Sequence, residues 1–346
     1  MNTSRYHFLD MLRGLAIAGI LLVNAYDIVR LGSAVTGSPA GRAALDYGVQ
    51  SRFVPIFAVL FGVSMWLIVD GARRRGDAVG GALVLRMIAI GAIGVAHSFF
   101  YDGDILREYA IVGLLAIPAV LWLSPWLSLT IGAALTAVSF GFLGGGVESV
   151  PGLVLLGIGA AGAGLPALLE RGGRALWVAV GLLVPIVAVL TWQHVQVGGG
   201  DPRFSIEGTR AGLATAALYV IVAAVIWQWG PARRVLSACF ISLGRTSLSS
   251  YVGANVIVVG LAKGFDFTHA ESVWPLLGLC ALVLFAQAVA ATIWLHYFTN
   301  GPLEWVLRAI TWRTVPKLRR VGAHRAGRRI AADQQIPALH PVEFVR

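Results

Sequence analysis

The 346-residue sequence is short of charge. Asp, Glu, Lys and Arg make up 13% of it, against about 25% in an ordinary soluble domain, which excludes a soluble enzyme and a charged disordered chain. It has two cysteines, Cys239 and Cys280, too few for a disulfide framework and wrongly spaced for a metal site. Zinc motifs, a phosphate-binding P-loop and a nucleophile elbow are all missing, and with them the common soluble hydrolases. The glycine pattern Gly157, Gly159, Gly162 imitates a dinucleotide fingerprint, but no strand precedes it; close helix packing accounts for it. What is present is hydrocarbon: 57% hydrophobic residues and a mean hydropathy of +0.77. The class is a polytopic membrane protein. The net charge of +10 reflects the cytoplasmic bias of Lys and Arg in such proteins and not a nucleic-acid partner.

A bilayer core needs about 20 apolar residues per helix. Ten segments qualify: Phe8–Val29, Phe53–Val69, Val79–Phe100, Ile105–Leu123, Trp126–Leu143, Val150–Leu169, Ala175–Gln193, Ala211–Trp229, Thr246–Ala262 and Val273–His296. The first follows Arg5 and lacks a small-residue cleavage site, so it reads as a retained helix and not a signal peptide. With the N-terminus inside, nineteen of the 27 Lys and Arg residues fall on the inner side and seven on the outer; Arg86 lies within a span. The expected fold is an all-α transmembrane helix bundle of about ten spans with both termini cytoplasmic. Residues 1–311 form the helical domain and 312–346 a basic cytoplasmic tail held against anionic lipid.

Ionisable residues within a span are expensive and face the bundle interior or a wet cavity. The first span carries Asp10, Arg13 and Asn24; the third carries Arg86 and His97. Both pairs, Arg13 to Asn24 and Arg86 to His97, are eleven residues apart, which returns to within about 20° of the same helix face after a rise of about 16 Å. Just beyond His97, the run Tyr101–Tyr109 holds Asp104 immediately before an apolar helix. Asp104 can cap that helix and orient the His97 imidazole, the pairing a general base requires. Arg245 stands at the inner mouth of the ninth span, which Thr246 or Ser247 can cap, as an anion site or a charge anchor. The segment Asn300–Trp305 starts a short interfacial helix with Pro302 at its first position, and Glu304 and Arg308 are spaced for an i,i+4 pair.

Several blocks carry a resemblance: Leu9-Asp10-Met11-Leu12-Arg13-Gly14 on to Asn24; Leu60-Phe61-Gly62; Arg86 through His97 to Gly103-Asp104-Ile105-Leu106; Gly244-Arg245 to Tyr251; and Gly301-Pro302-Leu303-Glu304-Trp305 with Arg308. Together they resemble the YeiB-like family of bacterial membrane proteins, labelled a domain of unknown function. That family is similar to the wider transmembrane acyltransferase superfamily, which includes O-acyltransferases of bacterial glycans and the lysosomal heparan glucosaminide N-acetyltransferase. The resemblance implies a cytoplasmic acyl-CoA donor and an acceptor across the membrane. One departure matters. Where the O-acyltransferases have a catalytic histidine eleven residues after an arginine, this sequence has Asn24. The loop histidine of the glucosaminide branch has no counterpart either, since residues 25–52 contain none.

The expected function is therefore an acyltransferase in the bacterial cytoplasmic (inner) membrane, moving an acyl group from acyl-CoA to an envelope sugar or lipid. Arg13, Arg86 and Arg245 would hold the donor's phosphates, His97 and Asp104 would form the base, and Asn24 would donate to the developing oxyanion. Neither a metal nor a covalently bound cofactor is expected. A transporter or flippase of a small molecule or lipid is the alternative, and a non-catalytic envelope scaffold a third. The sequence sets no oligomeric state.

Overall fold

A computed structural model describes residues 6–29, 39–264 and 272–319. These fold into α1 (His7–Ile28), α2 (Pro39–Gly48), α3 (Phe53–Arg75), α4 (Gly80–Ser98), α5 (Leu106–Trp122) and α6 (Pro125–Val138), the last continued by a π turn, Ser139–Leu143. There follow α7 (Val150–Gly162), α8 (Leu165–Arg171), α9 (Arg174–Gln196), α10 (Ile206–Trp227) and α11 (Gly230–Leu236). A second π turn, Ser237–Ile241, leads to α12 (Ser242–Arg245), α13 (Ser247–Ala262), α14 (Trp274–Tyr297) and α15 (Pro302–Trp312). Among the described residues there is no β-sheet. In hydrocarbon every backbone group must be satisfied within its own segment, and helices do this.

The fold is an all-α polytopic bundle. Among the described residues seven stretches are long and apolar enough to cross a bilayer, eight when the bent pair α7–α8 is counted as one span. All ten expected segments are helical; α5 has 17 residues and α13 has 16. Contacts between helix ends sort into two groups. At one end Phe8 N donates to Glu170 (2.8 Å), Gln228 to the Glu170 carbonyl (3.4 Å) and Arg73 to the Leu121 carbonyl. At the other, Arg203 meets Asp27 (2.7 Å), Arg210 the Phe140 carbonyl (3.0 Å) and Tyr109 the Val54 carbonyl (3.4 Å). The first group includes the arginine-rich connections and is called here the basic end; the second is the far end.

The helix α1 runs through the middle, with 83% of its apolar window buried, whereas α9 lies at the periphery with 6%. The polar residues of α1 thus sit inside protein and not against lipid. Glycines bring the backbones close. A Cβ on Gly14 would strike Phe240, and one on Gly244 the Asp10 carbonyl, so α1 and the α12 segment touch directly. Gly62 and Gly157 make the same kind of crossing between α3 and α7, and Gly159 faces α6. The glycine run 157–162 is a packing seam, as read from the sequence.

The structure corrects three expectations. Val150–Leu169 is not one straight span: Gly164, at φ +91°, ends α7, Pro166 opens α8, and the axis turns by 70°. In the outer connection after α1 a further helix, α2, forms, with Arg42 paired to Asp46 at 2.9 Å. Neither Thr246 nor Ser247 caps α13 with its side chain. The Glu304–Arg308 pair does not form among the described residues, since Glu304 is used elsewhere, as described below. Residues 320–346 of the expected tail lie outside the described residues. Its first part folds back, with Thr299 N donating to the Leu318 carbonyl at 2.9 Å.

Candidate functional site

The site begins at the basic end with a cavity of about 1100 Å³. Arg13, Arg86 and Arg245, drawn from α1, α4 and α12, all line it, joined by Arg75 and Arg308. The carboxylates on its wall are Asp10, Asp77 and Glu304, so among the described residues arginines outnumber acids there by five to three. Arg13 is positioned from two sides: it donates to Asp10 one turn earlier (3.2 Å) and to the Ser64 hydroxyl of α3 (2.8 Å). Arg86 makes no hydrogen bond or ion pair among the described residues; its guanidinium lies in the cavity wall.

Behind this cavity lies a narrower throat that shares Arg13, Ser64, Arg86 and Ser247 with it and is otherwise apolar, lined by Phe57, Leu60, Phe61, Met87 and Ile90. Its lining also includes Leu106, Tyr109 and Tyr251. Leu106 and Tyr251 both touch Asp104. The Leu106 N–H donates to Asp104 Oδ2 at 3.0 Å, and the Tyr251 hydroxyl donates to Oδ1 at 3.4 Å.

On that oxygen also rests His97. Its Nδ1–H donates to Asp104 Oδ1 at 2.7 Å, and both side chains are fully buried. A carboxylate on Nδ1 fixes the tautomer, so Nε2 carries the lone pair. This Nε2 is buried and makes no hydrogen bond among the described residues. The Tyr251 ring packs 5.4 Å from the imidazole and the Tyr101 ring 6.3 Å. Burial first, then the charge of Asp27, push the Tyr101 phenol well above its usual range; it stays protonated at neutral pH. Local sequence explains the assembly. Three residues before His97, Gly94 lets α4 meet the start of α5: a Cβ there would lie 2.9 Å from Arg107 N and 3.0 Å from Asp104 Oδ2.

The helix α13 ties these parts together. Tyr251 reaches Asp104, and one turn on, Asn255 Oδ1 accepts from Asn24 Nδ2 at 3.2 Å. The donor of the Asn24 amide is therefore committed to the α1–α13 interface, and the buried amide nitrogen without a partner among the described residues is Asn255 Nδ2. The position of α13 is set by Glu304 of α15. One carboxylate oxygen accepts from the free N–H groups of Leu248 (2.6 Å) and Ser249 (3.2 Å), and the other from the Ser249 hydroxyl (2.6 Å). In return Ser249 Oγ accepts from Leu303 N at 3.0 Å. This is a helix cap supplied from 55 residues away, satisfying donors the helix cannot satisfy itself.

The structure brings together His97 with Asp104, and Arg13 with Arg86 and Arg245, as two clusters; Arg13 and Arg86 line the throat, as do Leu106 and Tyr251, which hydrogen-bond to Asp104. Asn24 pairs with Asn255 and has no hydrogen bond to His97 or Asp104. Sequence reasoning passed over Ser64, Tyr251 and Asn255 as site residues. Tyr251 and Asn255 share a helix face at i,i+4, which could have singled them out.

Residues 169–314 match the model of a family described as a protein of unknown function (DUF418). This region supplies Arg245, Tyr251, Asn255 and Glu304, so the site is built by it together with the helices before it. A 39.9 kDa protein from the amylase 3' region of Bacillus acidopullulyticus is 28% identical, the match covering 88% of this chain and 93% of that one. YxaH of Bacillus subtilis (strain 168) is 23% identical over 93% and 98% of the two chains. YeiB of Escherichia coli (strain K12) is 27% identical over 88% and 96%. The resemblance drawn from the motif blocks extends along nearly the whole sequence: the chain is similar to YeiB over 88% of its length, and residues 169–314 match the DUF418 model.

Proposed function

We propose that this protein is an integral-membrane acyltransferase that moves an acyl group from cytoplasmic acyl-CoA to a sugar or lipid acceptor beyond the bacterial inner membrane. One observation carries the reading. A cavity lined by five arginines leads through an apolar throat to the wall beside a buried His–Asp pair, and the base nitrogen of that pair is unpartnered. The arginines suit the phosphates of CoA. The throat suits the pantetheine arm and acyl chain, and parting Leu106 from Tyr251 would bring the thioester to His97. There Nε2 takes the proton from an acceptor O–H or N–H. The acceptor atom bonds to the thioester carbonyl carbon, the C–S bond breaks, and the thiolate leaves as CoA, receiving the proton from the imidazolium. Asn255 Nδ2 is better disposed than Asn24 to donate to the oxyanion, because the Asn24 amide is already engaged. The far end of the bundle then faces the acceptor side, in keeping with the nineteen-to-seven distribution of Lys and Arg.

The test is acyl-CoA binding and CoA-thiol release by the protein in nanodiscs. Arg86→Ala should weaken binding tenfold or more, a charged hydrogen bond contributing about 1.5–3 kcal/mol. His97→Ala should bind and release no thiol. No binding of any acyl-CoA would end this reading. A transporter or flippase is the second reading. It draws on Tyr109, which lines both the throat and a separate cavity at the far end, so that one side chain stands between the two. Substrate accumulation in sealed vesicles without acyl-CoA would support it.

A further inference from the structure

At the far end, on the opposite side of Tyr109 from the throat, a chamber of about 210 Å³ opens between α1, α3, α5, α10 and the turn after α6. Its walls are largely apolar and aromatic, with Phe53, Phe140 and Tyr109 among them. Among the described residues two charged side chains line it. Arg203 is fully engaged, donating to Asp27 (2.7 Å) and to Asp201 (2.8 Å). Burial lowers its pKa, but the two carboxylates outweigh this and hold it above the usual arginine range. Arg42 joins the cluster, 3.8 Å from Asp201 and 2.9 Å from Asp46, so two arginines meet three carboxylates and the cluster contributes no net positive charge to the chamber. The other side chain is Glu108, on the first turn of α5. Its Oε2 is buried and has no hydrogen-bond partner among the described residues, and it has no ion pair there.

A buried carboxylate oxygen without a donor is costly unless something supplies one. Among the described residues the chamber offers a carboxylate, aromatic rings and no available cation. An organic ammonium fits all three, hydrogen-bonding to the carboxylate and resting against the rings. We propose that this chamber binds a ligand bearing a primary ammonium group, with Glu108 as its counter-ion. The site lies close to the His97–Asp104 pair: Ile105 lines the chamber, and its N–H lies 3.5 Å from the Tyr251 hydroxyl that donates to Asp104. Binding itself does not depend on acyl transfer; only the ligand's role as the amine acceptor rests on that reading.

The experiment is equilibrium binding of radiolabelled ethanolamine, without CoA, to the protein in nanodiscs of phosphatidylglycerol alone. Saturable binding is expected, with competition by unlabelled ethanolamine and none by ethylene glycol, which has the same size and no charge. Glu108→Gln should weaken binding about tenfold or more, and Glu108→Asp, which keeps the charge, should retain part of it. Thermal unfolding without ligand checks that both variants fold. Repeating the assay in phosphatidylethanolamine nanodiscs separates the sources: lost ethanolamine binding assigns the site to a lipid headgroup, and unchanged binding to a free amine. Absence of saturable binding, equal competition by ethylene glycol, or full binding by Glu108→Gln overturns the proposal. CoA-thiol release is measured in parallel, so an inactive protein that binds ethanolamine loses only the transferase reading, and an active one that does not loses only this site.

Discussion

The residue that concentrates the argument is His97. It is fully buried, held at Nδ1 by Asp104, and unpartnered at Nε2. A histidine kept for packing alone would have both nitrogens satisfied. Replacing Asp104 by Asn removes the carboxylate that accepts from Nδ1 and holds the imidazole in place. CoA-thiol release should then fall by about 100-fold or more, within the usual worth of a general base, while the protein elutes as wild type on gel filtration. Asn24 belongs to a different kind of role. Its substitution by Ala leaves Asn255 Oδ1 buried without its donor, and thermal unfolding should report a loss of about 1–3 kcal/mol. An unchanged melting temperature would contradict that assignment. The polar residues on α1 and α4 were legible in the sequence because charge inside hydrocarbon stands out. The Asn24–Asn255 pair was not, because its partners lie 231 residues apart and neither amide signals the other.

Among the elements, α13 matters most. It carries Tyr251 onto Asp104 and Asn255 onto Asn24, and its first turn is capped by Glu304. Glu304→Ala should cost about 1 kcal/mol, the usual worth of an N-terminal cap, and should also slow thiol release because Tyr251 shifts against Asp104. Glu304→Gln, whose amide oxygen can still accept, should recover most of both, as read by melting temperature and initial rates. Helix α4 makes a second test. Gly94→Val puts a side chain against Arg107 and Asp104, and such overpacking costs about 1–3 kcal/mol. The helices themselves could be read from hydrophobic runs, and all ten segments fold as such. The bend at Gly164 could not, since a Gly-rich apolar run looks alike whether it packs straight or turns. The cap by Glu304 was hidden by a plausible local partner, Arg308, four residues on.

For the whole molecule, the account joins two ends of one bundle. The basic end holds the arginine-lined cavity, and the far end holds the ammonium chamber and the Asp27–Arg203–Asp201 cluster. The bias of Lys and Arg predicts an orientation that labelling reads directly. After Cys239 and Cys280 are changed to Ser, a cysteine at Asp102 should react with a membrane-impermeant maleimide in intact cells, and one at Arg74 only after permeabilisation; the reverse pattern would invert the topology. The central claim is that the path from the arginine-lined cavity to His97 carries acyl transfer. Its most direct test is CoA-thiol release by wild type and His97→Ala in nanodiscs, with acyl-CoA binding measured on the same samples. The account predicts equal binding by both proteins and thiol release by the wild type alone. Equal release by both would contradict it.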